Sequence, residues 1–510
     1  MDNKTVVLLT TITVIAAIAS LAIIKKDRRS ENPPVAPGSY PFFGHALTLA
    51  QGSRVFFKAF FADTDIDLLE IDVAGKRGYV VRGVENTRKI LTATQLNTRY
   101  LPKDALIEIG EYHQGILFNS DIESWKYNRK MLVESIARPR FIRSLAPKIN
   151  SYLANIYPLL DKLAESKTPF LPNMLFGSMS LDVIVDIILT NNRHAAESYL
   201  QTCIDGKTRK NDILLDLVKG TMEATGFFAN TPSLLYKYFP SYIQKAEKYR
   251  KVIREFEECT RELFTAKQQE KQQTAMDENV AEIAEDLASG LVLAVKSGMA
   301  LNNAIEVIKS IIAGGTDTSS NTMSFLLYEL ACNPEIKNEI HTEVAALIAD
   351  SENSEFDSQN IEQLPLLQAA ILEISRMYSE AQYLLRDVQI DGFTLGGTVL
   401  QKDSLLFIWI QGNQLSSELW EKPEVFNPKR FLESKELGGP FGYGFSYASF
   451  GHGIRKCPGE ALALMEMKLI MANLCLRYDF ELVDPTKQLE IKDNLALECG
   501  NYEVIFKHRI

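Results

Sequence analysis

Residues 450–459 read Phe-Gly-His-Gly-Ile-Arg-Lys-Cys-Pro-Gly, a run that few backbones can carry. Its glycines reach backbone angles that other residues resist, and they permit close approach to something flat. Pro458 keeps the chain from entering a helix too early. The apolar run Ala461-Leu462-Ala463-Leu464-Met465 then starts one. Cys457 therefore stands just before a helix N-terminus, where the dipole and free backbone N–H groups favour a thiolate. Arg455 and Lys456 add positive charge. A lone cysteine is more often a small buried hydrophobe than a ligand, so the surroundings carry the argument. His452, inside the same loop, is a rival ligand by residue type alone.

A second constraint is the pattern from about Asn302 to Cys332, one long helix ended by Asn333-Pro334. At about 1.5 Å per residue it spans roughly 45 Å, enough to cross a domain. Its middle reads Ala313-Gly314-Gly315-Thr316-Asp317-Thr318-Ser319. Each central glycine costs about 1 kcal/mol relative to alanine, and the Thr/Asp/Ser run competes for backbone hydrogen bonds. This predicts distortion at the centre, where broken local rules favour a functional site. Taken alone, the same pattern also fits a buried helix with a small-residue packing seam.

The loop matches F-x-x-G-x-R-x-C-x-G at every fixed position. That is the haem-binding signature of the cytochrome P450 superfamily, which the chain closely resembles from its N-terminus to its C-terminus. The resemblance implies that Cys457 is the axial ligand of the iron of haem b, with Phe450, Gly451, Arg455 and Gly459 shaping the loop against the cofactor. The central helix is similar to the family's [AG]-G-x-[DE]-T-[TS] motif. Carried over, Thr318 donates a hydrogen bond to the dioxygen being activated and Asp317 relays protons from solvent, while Gly314 and Gly315 leave room for oxygen and substrate. The thiolate pushes electron density that favours O–O cleavage.

Glu373 and Arg376 form an E-x-x-R pair on one helix face. In isolation such a pair is a solvated surface contact worth about 0.5 kcal/mol or less. Together with Pro428-Lys429-Arg430-Phe431 it resembles the family's buried Glu-Arg-Arg network, here Glu373, Arg376 and Arg430, which braces the core behind the cysteine. Trp125 and Arg129 match the family's W-x-x-x-R helix and, with Arg386 and Arg455, occupy its haem-propionate positions. Two departures stand out. Ser379-Glu380 replaces a proline that commonly follows E-x-x-R, and Lys429 replaces the more usual glutamate.

The remaining sequence sets the framework. Val6–Ile24 is uncharged, spans roughly 28 Å as a helix, and is followed by Lys25, Lys26, Arg28 and Arg29. The positive-inside rule places that end in the cytoplasm. Ala17-Ile18-Ala19 mimics a cleavage site, but the apolar run continues past it. Residues 1–29 read as a membrane anchor with a basic flank, 30–45 as a proline-rich hinge, and 46–510 as one catalytic domain. The fold class is mainly α with a small β part. Hairpins are expected over 69–81 and around Asp391-Gly392, and a polar surface loop over Gln268–Asn279. The net charge of −10 argues against general nucleic-acid binding. Six cysteines without CxxC spacing argue against a zinc knuckle or a disulfide framework.

The expected activity is a monooxygenase in the endoplasmic reticulum membrane, facing the cytosol and oxidising an apolar small molecule with O2. The resemblance implies electrons from NADPH through a flavoprotein reductase, with cytochrome b5 as a further partner. It places the pocket walls at about 100–118, 203–240, 305–318, 380–386 and 497–501. Phe227, Phe228, Leu234 and Leu235 read as an apolar entrance, or equally as core or membrane-facing residues. A haem-thiolate isomerase, dehydratase or peroxygenase, or a non-catalytic haem protein, would share the loop without needing protons from Thr318 and Asp317.

Overall fold

The computed structural model describes residues 33–49, 52–61, 66–73, 75–136, 138–191, 193–207, 213–277, 286–349, 355–433, 444–493 and 496–509. The expected anchor, its basic flank and the start of the hinge lie outside the described residues. In chain order, β1 (Leu68–Val73) and β2 (Lys76–Val81) form a hairpin. Then come α1 (Ile122–Ile136), α2 (Leu145–Ser166), α3 (Pro172–Leu189), α4 (Ile213–Asn230), α5 (Pro240–Asp277), α6 (Leu301–Cys332) and α7 (Pro365–Met377). Strands β3 (Tyr383–Asp387) and β4 (Leu405–Trp409) follow, then α8 (Glu460–Arg477). Four short strands close the chain, β5 (Tyr478–Leu482), β6 (Ile491–Asp493), β7 (Leu497–Cys499) and β8 (Val504–His508). Helices dominate, as expected.

The main sheet has the order β1-β2-β4-β3, with β2 parallel and β3 antiparallel to β4. All five residues of β4 are buried, because the period of two sends them to opposite faces. Leu406 and Ile408 join one apolar cluster with Tyr79, Val81 and Ile90. Leu405, Phe407 and Trp409 join another with Phe56, Phe57 and Val80. The sheet is thus clamped from both sides, and β3 carries Arg386 inward from it (3% exposed).

Helix α3 is long and apolar enough to cross a membrane by length and composition, yet it is largely buried inside the body. A helix apolar on every side is stable only when surrounded, and α3 lies against α6, with Ile184 reaching Gly315. Helix α6 departs from its expected distortion: it runs unbroken from Leu301 to Cys332. The competing hydroxyls turn back onto their own helix. Ser310 donates to the Glu306 carbonyl at 2.7 Å, Thr318 to Gly314 at 2.7 Å, and Thr322 to Thr318 at 3.0 Å. The competition is absorbed without breaking the helix.

Two other expectations shift. Gln268–Asp277 is not a loop but the end of α5, since Gln, Lys and Glu are good helix formers and Lys267 pairs with both Glu270 and Asp286. The second hairpin turns at Gly396-Gly397 rather than Asp391-Gly392, joining Thr394–Leu395 to Thr398–Val399. Both glycines have positive φ, 54° and 81°, as a two-residue hairpin turn of this kind requires.

Candidate active site

The Cys457 loop is held by its own backbone. Gly451 N donates to Ala448 O and Cys457 N to Phe450 O, both at 2.8 Å. Gly451 and Gly453 have φ of 68° and 69°, a left-handed conformation that glycine accepts without penalty. A Cβ at Gly453 would also collide with the Leu91 carbonyl oxygen. Gly459 caps α8, and its backbone N–H hydrogen-bonds the Cys457 sulfur. The thiolate advantage expected from the helix end is therefore present but outweighed. Burial pushes the Cys457 thiol up, against the lowering influence of Gly459, Arg99 and Arg129. An iron would reverse this balance, because a coordinating thiol loses its proton outright. His452 points elsewhere, its Nε2 lying 3.2 Å from the carbonyls of Gly444 and Tyr447.

Behind the loop, α7 supplies a fully buried network. Arg376 Nε and Nη2 donate to the two Glu373 carboxylate oxygens at 2.8 and 2.9 Å. Arg430 Nε and Asn427 N each reach Glu373 Oε1 at 3.0 Å. Arg376 further donates to the carbonyls of Gln414 and Pro423. Gln414, absent from the sequence reading, links this network to the loop. Its Nε2 donates to the Ser375 and Arg376 carbonyls, and its Oε1 accepts from Ala448 N and the Ser449 hydroxyl. Lys429, the departure from the usual glutamate, pairs with Glu339 on the surface.

On the other side of the loop, four guanidiniums gather. Arg129 Nη2 donates to the Lys456 carbonyl at 2.7 Å. Arg455 stacks 3.6 Å from the centre of the buried Trp125 ring and donates to Asn97 O. Among the described residues, the Arg386 side chain donates to Leu385 O alone. Arg99 donates to the carbonyls of Leu117 and Arg455; no local motif marks it in the sequence. Among the described residues none of the four forms an ion pair with a carboxylate. Arg99 Nε and Arg455 Nη1 are sealed from solvent without an acceptor. Burial and mutual repulsion push Arg455 down to about 8 and Arg386 to about 9. Buried like charges with idle donors form a receptor for an anion, and paired carboxylates match the guanidinium fork best.

Helix α6 carries Asp317 and Thr318 at its centre. Asp317 is buried, its Oδ2 has no partner, and burial, with Glu498 adding repulsion, pushes its carboxyl up to about 7. Lys219 of α4 faces it and is itself pushed down by burial. The two helix glycines divide their tasks. A Cβ at Gly314 would meet nothing within 4 Å, so this position borders open space inside the protein. At Gly315 it would lie 2.8 Å from Ile184, so Gly315 serves the packing of α3 on α6 and not the opening of the pocket. Phe227 and Phe228 belong to an apolar cluster with Tyr236 and Tyr249, the core alternative of the earlier reading, while Leu234 is exposed. Where proline was expected after α7, the Ser379 hydroxyl closes the turn onto the Ala381 carbonyl at 3.1 Å and β3 follows.

The family profile described as Cytochrome P450 matches residues 33–506. The chain is 24% identical over 507 residues to (+)-vincadifformine 19-hydroxylase of Catharanthus roseus, covering 94% of this chain and 93% of that protein. It is 23% identical over 373 residues to the mitochondrial 25-hydroxyvitamin D-1 alpha hydroxylase of Rattus norvegicus, covering 71% and 70%. Cytochrome P450 71B26 of Arabidopsis thaliana is 24% identical over 366 residues, covering 71% and 69%. A cysteine loop braced from behind, an anion receptor beside it and a central helix with a buried acid thus occur in one sequence that matches a single family over residues 33–506: the chain belongs to the cytochrome P450 family and is a haem-thiolate monooxygenase.

Proposed function

We propose that Cys457 is the axial ligand of haem b, and that the carboxylate pair of the cofactor is held by Arg129, Arg386 and Arg455, with Trp125 beneath Arg455 and Arg99 as an additional donor. The observation that carries this reading is the set of four guanidiniums that, among the described residues, form no ion pair with a carboxylate. Bound there, the haem supplies the chemistry that inserts one atom of O2 into a substrate C–H bond while the other leaves as water. Asp317, with a carboxyl near 7, holds a proton that it can lose and regain at physiological pH. Thr318 must release its bond to the Gly314 carbonyl to direct its hydroxyl at the open space beside Gly314. Phe450, Gly451 and Gly459 fix the loop, and Glu373, Arg376 and Arg430 keep it from shifting.

The substrate in this reading is an apolar small molecule. Electrons come from NADPH through a diflavin reductase on the Cys457 side, with cytochrome b5 as a second donor. Lys456, a candidate docking residue, is half-exposed and paired with Glu460. Residues 1–29 anchor the protein in the endoplasmic reticulum membrane, 30–45 form the hinge, and 46–510 face the cytosol as one catalytic domain.

Four measurements test the proposal. Reduced protein treated with carbon monoxide should give the Soret band of thiolate ligation, and Cys457→Ser should lose it. A screen of optical shifts on adding apolar compounds should identify ligands of the pocket. Product formation should then be compared with a diflavin reductase and with a ferredoxin, because one relative is named as mitochondrial. Thr318→Ala should divert electrons from product to peroxide. Unchanged coupling in Thr318→Ala would favour an isomerase, dehydratase or peroxygenase reading.

A further inference from the structure

Glu380 stands immediately after α7, where the family commonly places a proline. Its backbone carbonyl accepts from Leu497 N at 3.3 Å, which pins it to β7. Its Oε1 lies 3.5 Å from the Thr322 hydroxyl, one helical turn beyond Thr318 on α6, a weak contact because that hydroxyl already donates to the Thr318 carbonyl at 3.0 Å. Its Oε2 is sealed from solvent and has no partner, as is Asp317 Oδ2. The charged and titratable groups facing it are Asp317 on α6, Glu498 and Cys499 on β7, and, across Asp317 and Glu498, Lys219 on α4. Among the described residues no cation pairs with Glu380. An ionised carboxylate with one weak donor and acids for neighbours is strongly disfavoured in an enclosed place. Burial, then Asp317 and Glu498, push it well above the ordinary carboxylate range. Enclosure therefore favours the neutral form of Glu380, and neighbouring acids that repel one another titrate as a linked pair.

We propose that Glu380 is a second proton-holding group of this site, a positioning residue that returns a proton to Asp317 and so sustains delivery of the two protons each turnover consumes. This rests on the reading of Asp317 as the relay acid. In the step, the O–H bond of Glu380 breaks and, through water, one forms on Asp317. Only Oε2 is sealed and the residue as a whole is partly exposed, so the carboxylate left on Glu380 regains its proton from solvent, and no electrons move.

The test uses full-length, haem-loaded protein and Glu380→Gln, which keeps the shape and hydrogen bonding but releases no proton. The infrared difference spectrum at neutral pH should show one protonated-carboxyl band present in the parent and lost in Glu380→Gln. With electrons from a reductase and no added substrate, the fraction recovered as peroxide should rise several-fold, most at alkaline pH. Glu380→Asp should restore part of the loss, and haem content should not change. In an Asp317→Asn background, Glu380→Gln should add nothing further. Absence of the infrared band, an unchanged peroxide fraction, or a full additional loss on Asp317→Asn would each overturn the role of Glu380. A parent protein that binds haem but reduces no O2 would instead sink the monooxygenase reading on which the relay depends.

Discussion

Behind the Cys457 loop, Glu373 is fully buried and its two oxygens meet Arg376, Arg430 and the Asn427 N–H. Beside Thr318, the carboxyls of Asp317 and Glu380 are enclosed as well, yet each keeps one oxygen with no partner. Both regions bury acids, and burial is expensive in both. In the first, guanidiniums and carbonyls offset the cost and leave a rigid support. In the second, the offset is withheld, and both carboxyls are pushed above their ordinary range. Support calls for satisfied charge, and proton handling calls for charge left unsettled.

The largest test breaks the satisfied side. Glu373→Ala takes the carboxylate from the buried Arg376 and the partly buried Arg430 and should cost about 3–5 kcal/mol, read as loss of haem-loaded protein and a lowered denaturation midpoint. Normal haem incorporation would show that the network is not the support described.

On α6, Gly315→Ala should cost about 1–3 kcal/mol, because a methyl group meets Ile184 in a packed seam; thermal unfolding measures this.

The unsettled side should respond with the opposite sign. Asp317 has its folded pKa raised from 3.8 to about 7, so folding becomes less favourable as pH rises between those values, and the full penalty applies above them. Asp317→Asn removes the penalty. It should be more stable than the parent above pH 7 by about 1–3 kcal/mol and no more stable below the ordinary carboxylate range, while coupling electrons to product less well. Unfolding followed across pH checks the sign.

The smallest effect belongs to Gly314→Ala. It meets open space and gains about 1 kcal/mol or less in helix propensity, so folding should improve slightly while optical titration shows altered ligand binding. A loss of stability instead would place the open space elsewhere.

Features that depend on neighbouring positions were legible in the sequence. The Cys457 loop, α6 from 301 to 332 and the Glu373-Arg376 pair each follow from spacing along a single element. The β1-β2 hairpin was legible as alternation, whereas β4 was not singled out. Its run of five apolar residues has no period to read, and its role depends on apolar clusters on both faces of the sheet. Arg99 escaped because nothing near it in sequence explains a buried arginine; only the approach of the loop 356 residues away does. Gln414 escaped for the same reason, its partner coming from Ala448, and Glu380 was legible only as a departure from proline, its neighbour Thr322 lying on another helix.

The sequence by itself determined the ligand loop, the central helix and the charged pair, because three glycines, a proline and fixed residue offsets leave the local backbone few alternatives. Tertiary structure alone decided which buried charges are paired and which are left idle, and which of two adjacent glycines faces the pocket. Those outcomes depend on what distant segments bring within hydrogen-bond reach, a distance that no local pattern encodes.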